Sequence, residues 1–133
     1  MIEVNNLTVS PVDKKFLEKI AGSILKKEKK LDKDLSIALV GSERMRELNK
    51  KYRGKNLATD VLSFQYGDSG EVVICLPQVK KNARSFKFTF EKELARVLIH
   101  GILHLLGFNH EKNRKEADRM RKKEANYLFS EMN

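Results

Sequence analysis

A segment from Glu91 to Leu106 carries apolar residues on nearly every face of an α-helix. Such a helix is stable in water only when other elements cover it. The apolar run falls short of the roughly 20 residues that a membrane-spanning helix needs. Arg96, His100 and His104 also interrupt it. We therefore expect the central, buried helix of a water-soluble fold, with Gly107 ending it in a left-handed conformation.

The remainder of the chain supplies the elements that would cover this helix. Four short runs have the pattern of β-strands: residues 2–9, 35–40, 61–66 and 72–76. Turn-forming residues between the last two predict a hairpin. Four segments carry helical signals: residues 11–29 after a Ser10 cap, 42–51 after a Ser42 cap, a basic stretch after Pro77, and 111–129. The interleaved order predicts an α+β fold, a single small mixed sheet of about four strands covered by helices.

The chain length and the single cysteine set broad limits. A chain of 133 residues holds one hydrophobic core, and no linker or repeat divides it. We expect a single domain over residues 1–133. One cysteine cannot form an internal disulfide, and the N-terminal segment lacks the pattern of a signal peptide. These features predict a cytoplasmic protein without a membrane segment.

Basic residues outnumber acidic ones by 27 to 18, which gives a formal net charge of +9. The excess is concentrated in residues 14–33, 44–55 and 80–92. A basic surface favours polyanionic partners, above all nucleic acid. Solvated lysine-rich helix faces, or a heat-adapted surface, explain the same composition. Charge alone leaves these interpretations open.

The basic segment before the central helix combines cations with aromatic residues. Four cations are candidates for RNA phosphate contacts: Lys80, Lys81, Arg84 and Lys87. Phe86, Phe88 and Phe90 could stack on bases if exposed. Packing against the central helix is the simpler interpretation of these three rings.

The three histidines of the chain lie within eleven residues, in HGILHLLGFNH. His100 and His104 project from one helix face, and the bend at Gly107 can return His110 to the same point. Three imidazole nitrogens leave a fourth tetrahedral position for water, the pattern of a catalytic zinc site. Buried unpaired imidazoles would instead each cost about 1–3 kcal/mol. We predict one zinc ion, although imidazole also suits copper, nickel and iron.

The histidine spacing is also that of metzincin peptidases. Those enzymes place a glutamate directly after the first histidine, where it acts as the base for water. Here that position is Gly101. The spacing therefore keeps a peptidase as an alternative, and the glycine disfavours it.

The histidine segment resembles the signature of the YbeY family, bacterial rRNA-maturation factors described as metal-dependent single-strand endoribonucleases. The resemblance continues in YRGKNLATDVLSF (residues 52–64), in GEVVIC (residues 70–75) and in EKELARVLIH (residues 91–100). It implies a small mixed sheet around a three-histidine metal site, with His100, His104 and His110 as ligands. It also implies a role in 16S rRNA 3′-end maturation and ribosome quality control, with the ribosomal small subunit as partner.

Several positions depart from the family pattern. Asn109 stands where the family usually has aspartate, so a proton-shuttle role there is weakened. Gln65 replaces the usual proline, and Glu71 replaces an aspartate after Gly70. These changes affect the expected loop geometry more than the metal site.

Arg53 matches the functionally important arginine of the family. Its planar guanidinium suits two phosphate oxygens and would offset charge in the transition state. From the sequence around it alone, a surface arginine in a lysine-rich stretch is the favoured interpretation of Arg53. Asp60 is a candidate to orient a ligand imidazole or Arg53, and capping a local turn is an equally good interpretation. Asn109 is the other candidate for a residue that contacts the metal ligands.

Three functions follow from these observations. The first is a metal-dependent endoribonuclease acting on rRNA precursors. The second is a metal-dependent hydrolase of another class, such as a metzincin-like peptidase. The third is a metal-containing ribosome-assembly or RNA-binding factor with little nuclease activity. The basic segments fit the first and third, and the family resemblance favours the first.

Overall fold

The computed structural model describes residues 1–132 and confirms the α+β class. The strands are β1 (Ile2–Asn6), β2 (Asp34–Val40), β3 (Val61–Tyr66) and β4 (Ser69–Cys75). The helices are α1 (Lys14–Lys27), α2 (Ser42–Arg53), α3 (Leu76–Phe86), α4 (Phe90–Leu105) and α5 (Arg114–Met132). Within the described residues, no helix combines the length and apolar composition needed to cross a membrane.

The four strands form one mixed sheet in the order β1-β2-β4-β3. β1 and β4 both pair with β2 in parallel, whereas β3 and β4 form an antiparallel hairpin. Gly67, at a φ of +58°, lies in the hairpin turn, where a left-handed conformation favours glycine. The predicted sheet size and hairpin are therefore confirmed.

Each face of the sheet has its own apolar core. The larger core packs helices α1, α4 and α5 against one face and includes Leu17, Ile24, Ile37, Val72, Leu98 and Ile102. The smaller core lies under α2 on the other face and consists of Ala38, Val40, Met45, Leu62, Val73 and Cys75. This division follows from strand alternation, because successive residues of a strand point to opposite faces.

Two predicted helix caps are wrong. Asp13 caps α1, where its carboxylate accepts a hydrogen bond from the Phe16 backbone N–H. The Ser10 carbonyl instead accepts a hydrogen bond from the Asn6 side chain at 2.7 Å, which holds the chain in a turn before the helix. At α2, Gly41 occupies the cap position without a side-chain hydrogen bond, and Ser42 is the first helical residue.

Helix α4 is the central helix that the sequence predicts. From Lys92 to Leu105, its partly exposed positions recur at every fourth residue, and the others are buried. The four partly exposed residues are Lys92, Arg96, His100 and His104. The helix therefore presents one polar stripe along its length and buries every other face.

Gly101 allows α4 to lie directly on the sheet. A Cβ at this position would be 2.7 Å from Val72 Cγ1 and 3.0 Å from Val61 Cγ2. These distances are too short for ordinary van der Waals contact. The glycine is therefore a packing requirement of the helix–sheet contact, and a glutamate here would have no space.

We expect Gly101→Ala to lower the free energy of unfolding by about 1–2 kcal/mol. Overpacking costs about 1–3 kcal/mol, and the higher helix propensity of alanine returns at most about 1 kcal/mol. Urea denaturation followed by circular dichroism measures this change. Gly22→Ala in α1 is the matched control, because its Cβ would meet Ile2 Cδ1 at an ordinary 3.7 Å. The control is expected to be neutral or stabilising; equal effects of both substitutions would contradict the packing argument.

Candidate metal centre

The three histidine side chains meet at the end of α4. One nitrogen from each of His100, His104 and His110 lies within 4.8 Å of the other two. The closest pair, His104 Nε2 and His110 Nδ1, is 3.0 Å apart. Of the residues that the structure describes, no other three His, Cys, Asp or Glu side chains form such a group.

The turn after α4 brings His110 back to the helix. Gly107 has a φ of +99°, a left-handed conformation that glycine adopts without strain. Its N–H donates to the His104 carbonyl, and the Phe108 N–H donates to the Leu103 carbonyl, each at 3.1 Å. The buried ring of Phe108 fixes the returning chain against the core. The predicted helix end and return of the chain are therefore both present.

The donor chemistry of this cluster fits a metal ion. Three imidazoles suit zinc, copper, nickel or iron, and each must be neutral to bind. Burial, together with the nearby His100 and His110, holds the pKa of His104 below its usual value. This shift favours the neutral, metal-binding form at physiological pH. The cluster can therefore hold one metal ion.

A carboxylate of α5 orients the first histidine. His100 Nδ1 lies 3.0 Å from Glu124 Oε2, and both side chains are largely buried. When Nδ1–H donates to the carboxylate, Nε2 keeps its lone pair for a metal. Burial raises the pKa of Glu124, but the contacts with His100 and Arg96 outweigh it and leave that pKa below its usual value. Glu124 is therefore ionised and accepts this hydrogen bond.

Glu124 belongs to a network of paired charges behind the histidines. Arg96 donates to Glu124 at 3.0 Å and to both carboxylate oxygens of Glu93 at 2.7 Å. The Glu93 side chain is fully buried, and Asn82 donates to it at 3.2 Å and to Asp60 at 3.1 Å. These contacts hold α3, α4, α5 and the start of β3 in one arrangement.

The carboxylate beside His100 belongs to Glu124 and not to Asp60. Asp60 lies beside Asn82 and 3.6 Å from Arg96. Sequence reasoning missed Glu124. One signal could have found it, because it lies four residues after the buried Met120 and so on the side of α5 that faces the core.

Arg53 lies in the same cavity as the three histidines. This cavity has a volume of about 580 Å³. Arg53 donates from Nη2 to the Ser63 carbonyl at 2.9 Å and from Nη1 to the Tyr52 carbonyl at 3.3 Å. Its guanidinium also stacks over the Phe64 ring. These contacts fix the position of an exposed cation beside the histidine cluster.

Other predicted residues lie outside the cluster. The Asn109 side chain accepts a hydrogen bond from the Glu111 backbone N–H at 2.9 Å and so shapes the turn that carries His110. Four candidate RNA-contacting cations are exposed on or just after α3: Lys80, Lys81, Arg84 and Lys87. None of these four lines the histidine cavity. Cys75 is buried in the smaller core, where burial raises the pKa of its thiol.

Comparison with known proteins gives a family for this arrangement. Residues 3–131 match the family model described as Endoribonuclease YbeY. The chain belongs to the YbeY family. A protein named Endoribonuclease YbeY from a Sulfurihydrogenibium species is 42% identical over 80% of this chain and 75% of its own length. A second of that name, from Thermodesulfovibrio yellowstonii, is 46% identical over 71% of this chain and 64% of its own length.

A solved structure shares this fold. The solution structure of TM1509 from Thermotoga maritima matches with a TM-score of 0.67 and 36% identity. The match covers 96% of this chain and 87% of that one. The predicted family and α+β fold are therefore confirmed.

Removing the negative charge at Glu124 is expected to weaken metal binding about 10- to 100-fold. In Glu124→Gln, a neutral amide replaces the carboxylate that orients His100. Competition with a chromophoric zinc chelator measures the affinity. Glu116→Gln is the control, since Glu116 lies on the same helix but pairs with Arg119. Equal zinc affinities of the two variants would show that Glu124 does not support the ligand.

Zinc affinity is expected to stay nearly constant at neutral pH and to fall steeply below about pH 6. The lowered pKa of His104 keeps its imidazole neutral as the pH falls toward this range. At lower pH, protons compete with the metal for the histidine nitrogens. Zinc content measured after equilibration from pH 5 to 8 checks this expectation, and a flat profile would contradict it.

Proposed function

We propose that this chain is a metal-dependent endoribonuclease that hydrolyses phosphodiester bonds of single-stranded RNA during rRNA processing. The observation that carries the proposal is the shared cavity of three convergent imidazoles and a fixed arginine, in a chain of the YbeY family. Relatives that match most of the chain bear the name Endoribonuclease YbeY.

His100, His104 and His110 are the proposed metal ligands, and zinc is the proposed ion. The three-imidazole donor set supports zinc, with a fourth position left for solvent. A zinc ion held by these residues would make a bound water more acidic and would polarise a phosphoryl oxygen. Glu124 holds the His100 ring in the orientation that this role requires.

Arg53 is the proposed phosphate-binding residue. A guanidinium has five N–H donors in one plane, and two carbonyls hold Arg53 by one N–H from each terminal nitrogen. The remaining donors can hold phosphate oxygens and offset the charge that gathers in the transition state. Because the guanidinium is already fixed, little side-chain entropy is lost when RNA binds.

The same proposal includes the substrate, the partner and the domain organisation of the chain. The substrate is an rRNA precursor, the partner is the ribosomal small subunit in the cytoplasm, and residues 1–133 act as one domain. The exposed cations of α3 and the following loop support a contact with RNA phosphates: Lys80, Lys81, Arg84 and Lys87. A peptidase is disfavoured, because position 101 faces Val72 and Val61 of the sheet and leaves no room for a catalytic glutamate.

Zinc-loaded protein is expected to cleave a fluorescent single-stranded RNA. His104→Ala is expected to abolish cleavage, and Arg53→Ala to lower kcat about 100-fold, the typical loss for one preorganised transition-state donor. Arg46→Ala is the matched control, because Arg46 lies on the same helix and pairs with Glu43. Gel-resolved initial rates give these values.

Two results would contradict the nuclease assignment. Cleavage unchanged in both His104→Ala and Arg53→Ala would point to a contaminating nuclease. Zinc-loaded protein that leaves every RNA intact would favour an assembly factor whose metal is structural.

A further inference from the structure

The polar stripe of α4 extends beyond the histidines. Arg96 and Lys92 precede His100 by one and two helical turns on the same side of the helix. A second cavity of about 560 Å³ lies along this stripe, between α4 and α5. His100 and His110 line both this cavity and the one that contains Arg53. The histidine cluster therefore lies between the two cavities.

One phenylalanine ring lines the second cavity, and a second packs beside it. Phe88 lines the cavity, and Phe86 packs beside Phe88 with ring centroids 5.9 Å apart. The Phe86 side chain is 53% exposed, and Phe88 is partly exposed. The Phe88 backbone N–H donates to the Ala83 carbonyl at 2.9 Å, which fixes the chain after α3. The sequence favoured core packing for these rings, but the structure leaves both accessible.

Lys92 is the cation closest to Phe88. Its Nζ lies 4.2 Å from the centre of the Phe88 ring. Within the described residues, no carboxylate oxygen lies within 4.0 Å of this Nζ. Arg96, in contrast, pairs with both Glu93 and Glu124. Lys92 is therefore available for an anionic ligand that also contacts the ring.

We propose that this second cavity binds a nucleotide that flanks the scissile phosphate of single-stranded RNA. The base stacks on Phe88 while its phosphate contacts Lys92. The proposal rests on the nuclease function, because His100 and His110 line the second cavity. It adds a base-stacking subsite to that function.

The combination of contacts favours an unpaired nucleotide. A base offers a flat face to an aromatic ring only when it is not stacked in a duplex. A nucleotide also carries an anion next to its base. Because Lys92 Nζ lies over one face of the Phe88 ring, it can contact that anion while the base stacks on the other face. An apolar peptide would fill the cavity without needing the lysine. The charge of Lys92 and the ring of Phe88 together therefore indicate single-stranded RNA.

The test measures binding of a fluorescein-labelled oligoadenylate to the full chain by anisotropy, with a chelator present to prevent cleavage. We expect Phe88→Leu, which keeps apolar bulk without a flat ring, to weaken binding about tenfold, within the range for loss of one base stack. Phe88→Trp is expected to restore the affinity. Lys92→Gln is expected to reduce the slope of log affinity against log salt by about 0.7, one phosphate contact on a single strand.

Tyr66→Ala is the matched control. Tyr66 is also an exposed aromatic residue, but it points to the face of the sheet that α2 covers. We expect the Tyr66→Ala protein to bind oligoadenylate with the same affinity as the unchanged chain. An oligonucleotide series with single abasic positions adds a second readout. One abasic position is expected to weaken binding to the unchanged chain about tenfold and to have no further effect on Phe88→Leu.

The outcomes distinguish a failure of the stacking subsite from a failure of the nuclease proposal. If the unchanged chain binds and cleaves RNA and Phe88→Leu binds it equally well, the stacking subsite is overturned and the nuclease proposal stands. If Phe88→Leu weakens the binding of duplex RNA as much as that of oligoadenylate, the stacking subsite is also overturned, because paired bases cannot use it. If the unchanged chain does not bind RNA in the anisotropy assay and the zinc-loaded chain does not cleave it, both proposals fail together.

Discussion

The contact of helix α4 with the sheet at Gly101 is the interaction on which the rest of the site depends. Without a side chain at this position, the helix lies against Val61 and Val72. The Ser63 hydroxyl donates to the Gly101 carbonyl at 2.8 Å, and the Ser63 carbonyl in turn accepts from Arg53. One residue of β3 therefore connects the histidine helix to the arginine. This packing therefore sets the separation of Arg53 from the three histidines.

The opposite flank of α4 is fixed by paired charges. Burying Glu93 without a partner would cost several kcal/mol, so the bidentate contact from Arg96 is required for stability. The same arginine holds Glu124, which orients His100. Stability and function therefore use the same residues. Because its donors are divided among these acids, Arg96 is a structural cation and not a free phosphate ligand.

Sequence patterns predicted the parts of this protein that local rules determine. The apolar faces of α4 and the spacing of its histidines specify a buried helix with a possible metal site, and both were found where expected. The role of Arg53, in contrast, is predicted only by the family resemblance, because nothing in residues 44–55 separates it from other surface cations. Ser10 does not cap α1, because the Asn6 side chain binds the Ser10 carbonyl and holds the chain in a turn before the helix. The spacing of Glu124 from Met120 places it on the core-facing side of α5. Its contact with His100 depends on how α5 packs against α4, which the sequence of α5 alone does not specify.

The proposed chemistry requires that three imidazoles bind one metal ion and leave a coordination position for solvent. X-ray absorption spectroscopy of the zinc-loaded chain measures the ligands of the ion. We expect one zinc per chain with three nitrogen ligands at about 2.0–2.1 Å and one oxygen ligand. A sulfur ligand, a fourth histidine-like nitrogen, or an ion surrounded only by oxygen would contradict this expectation.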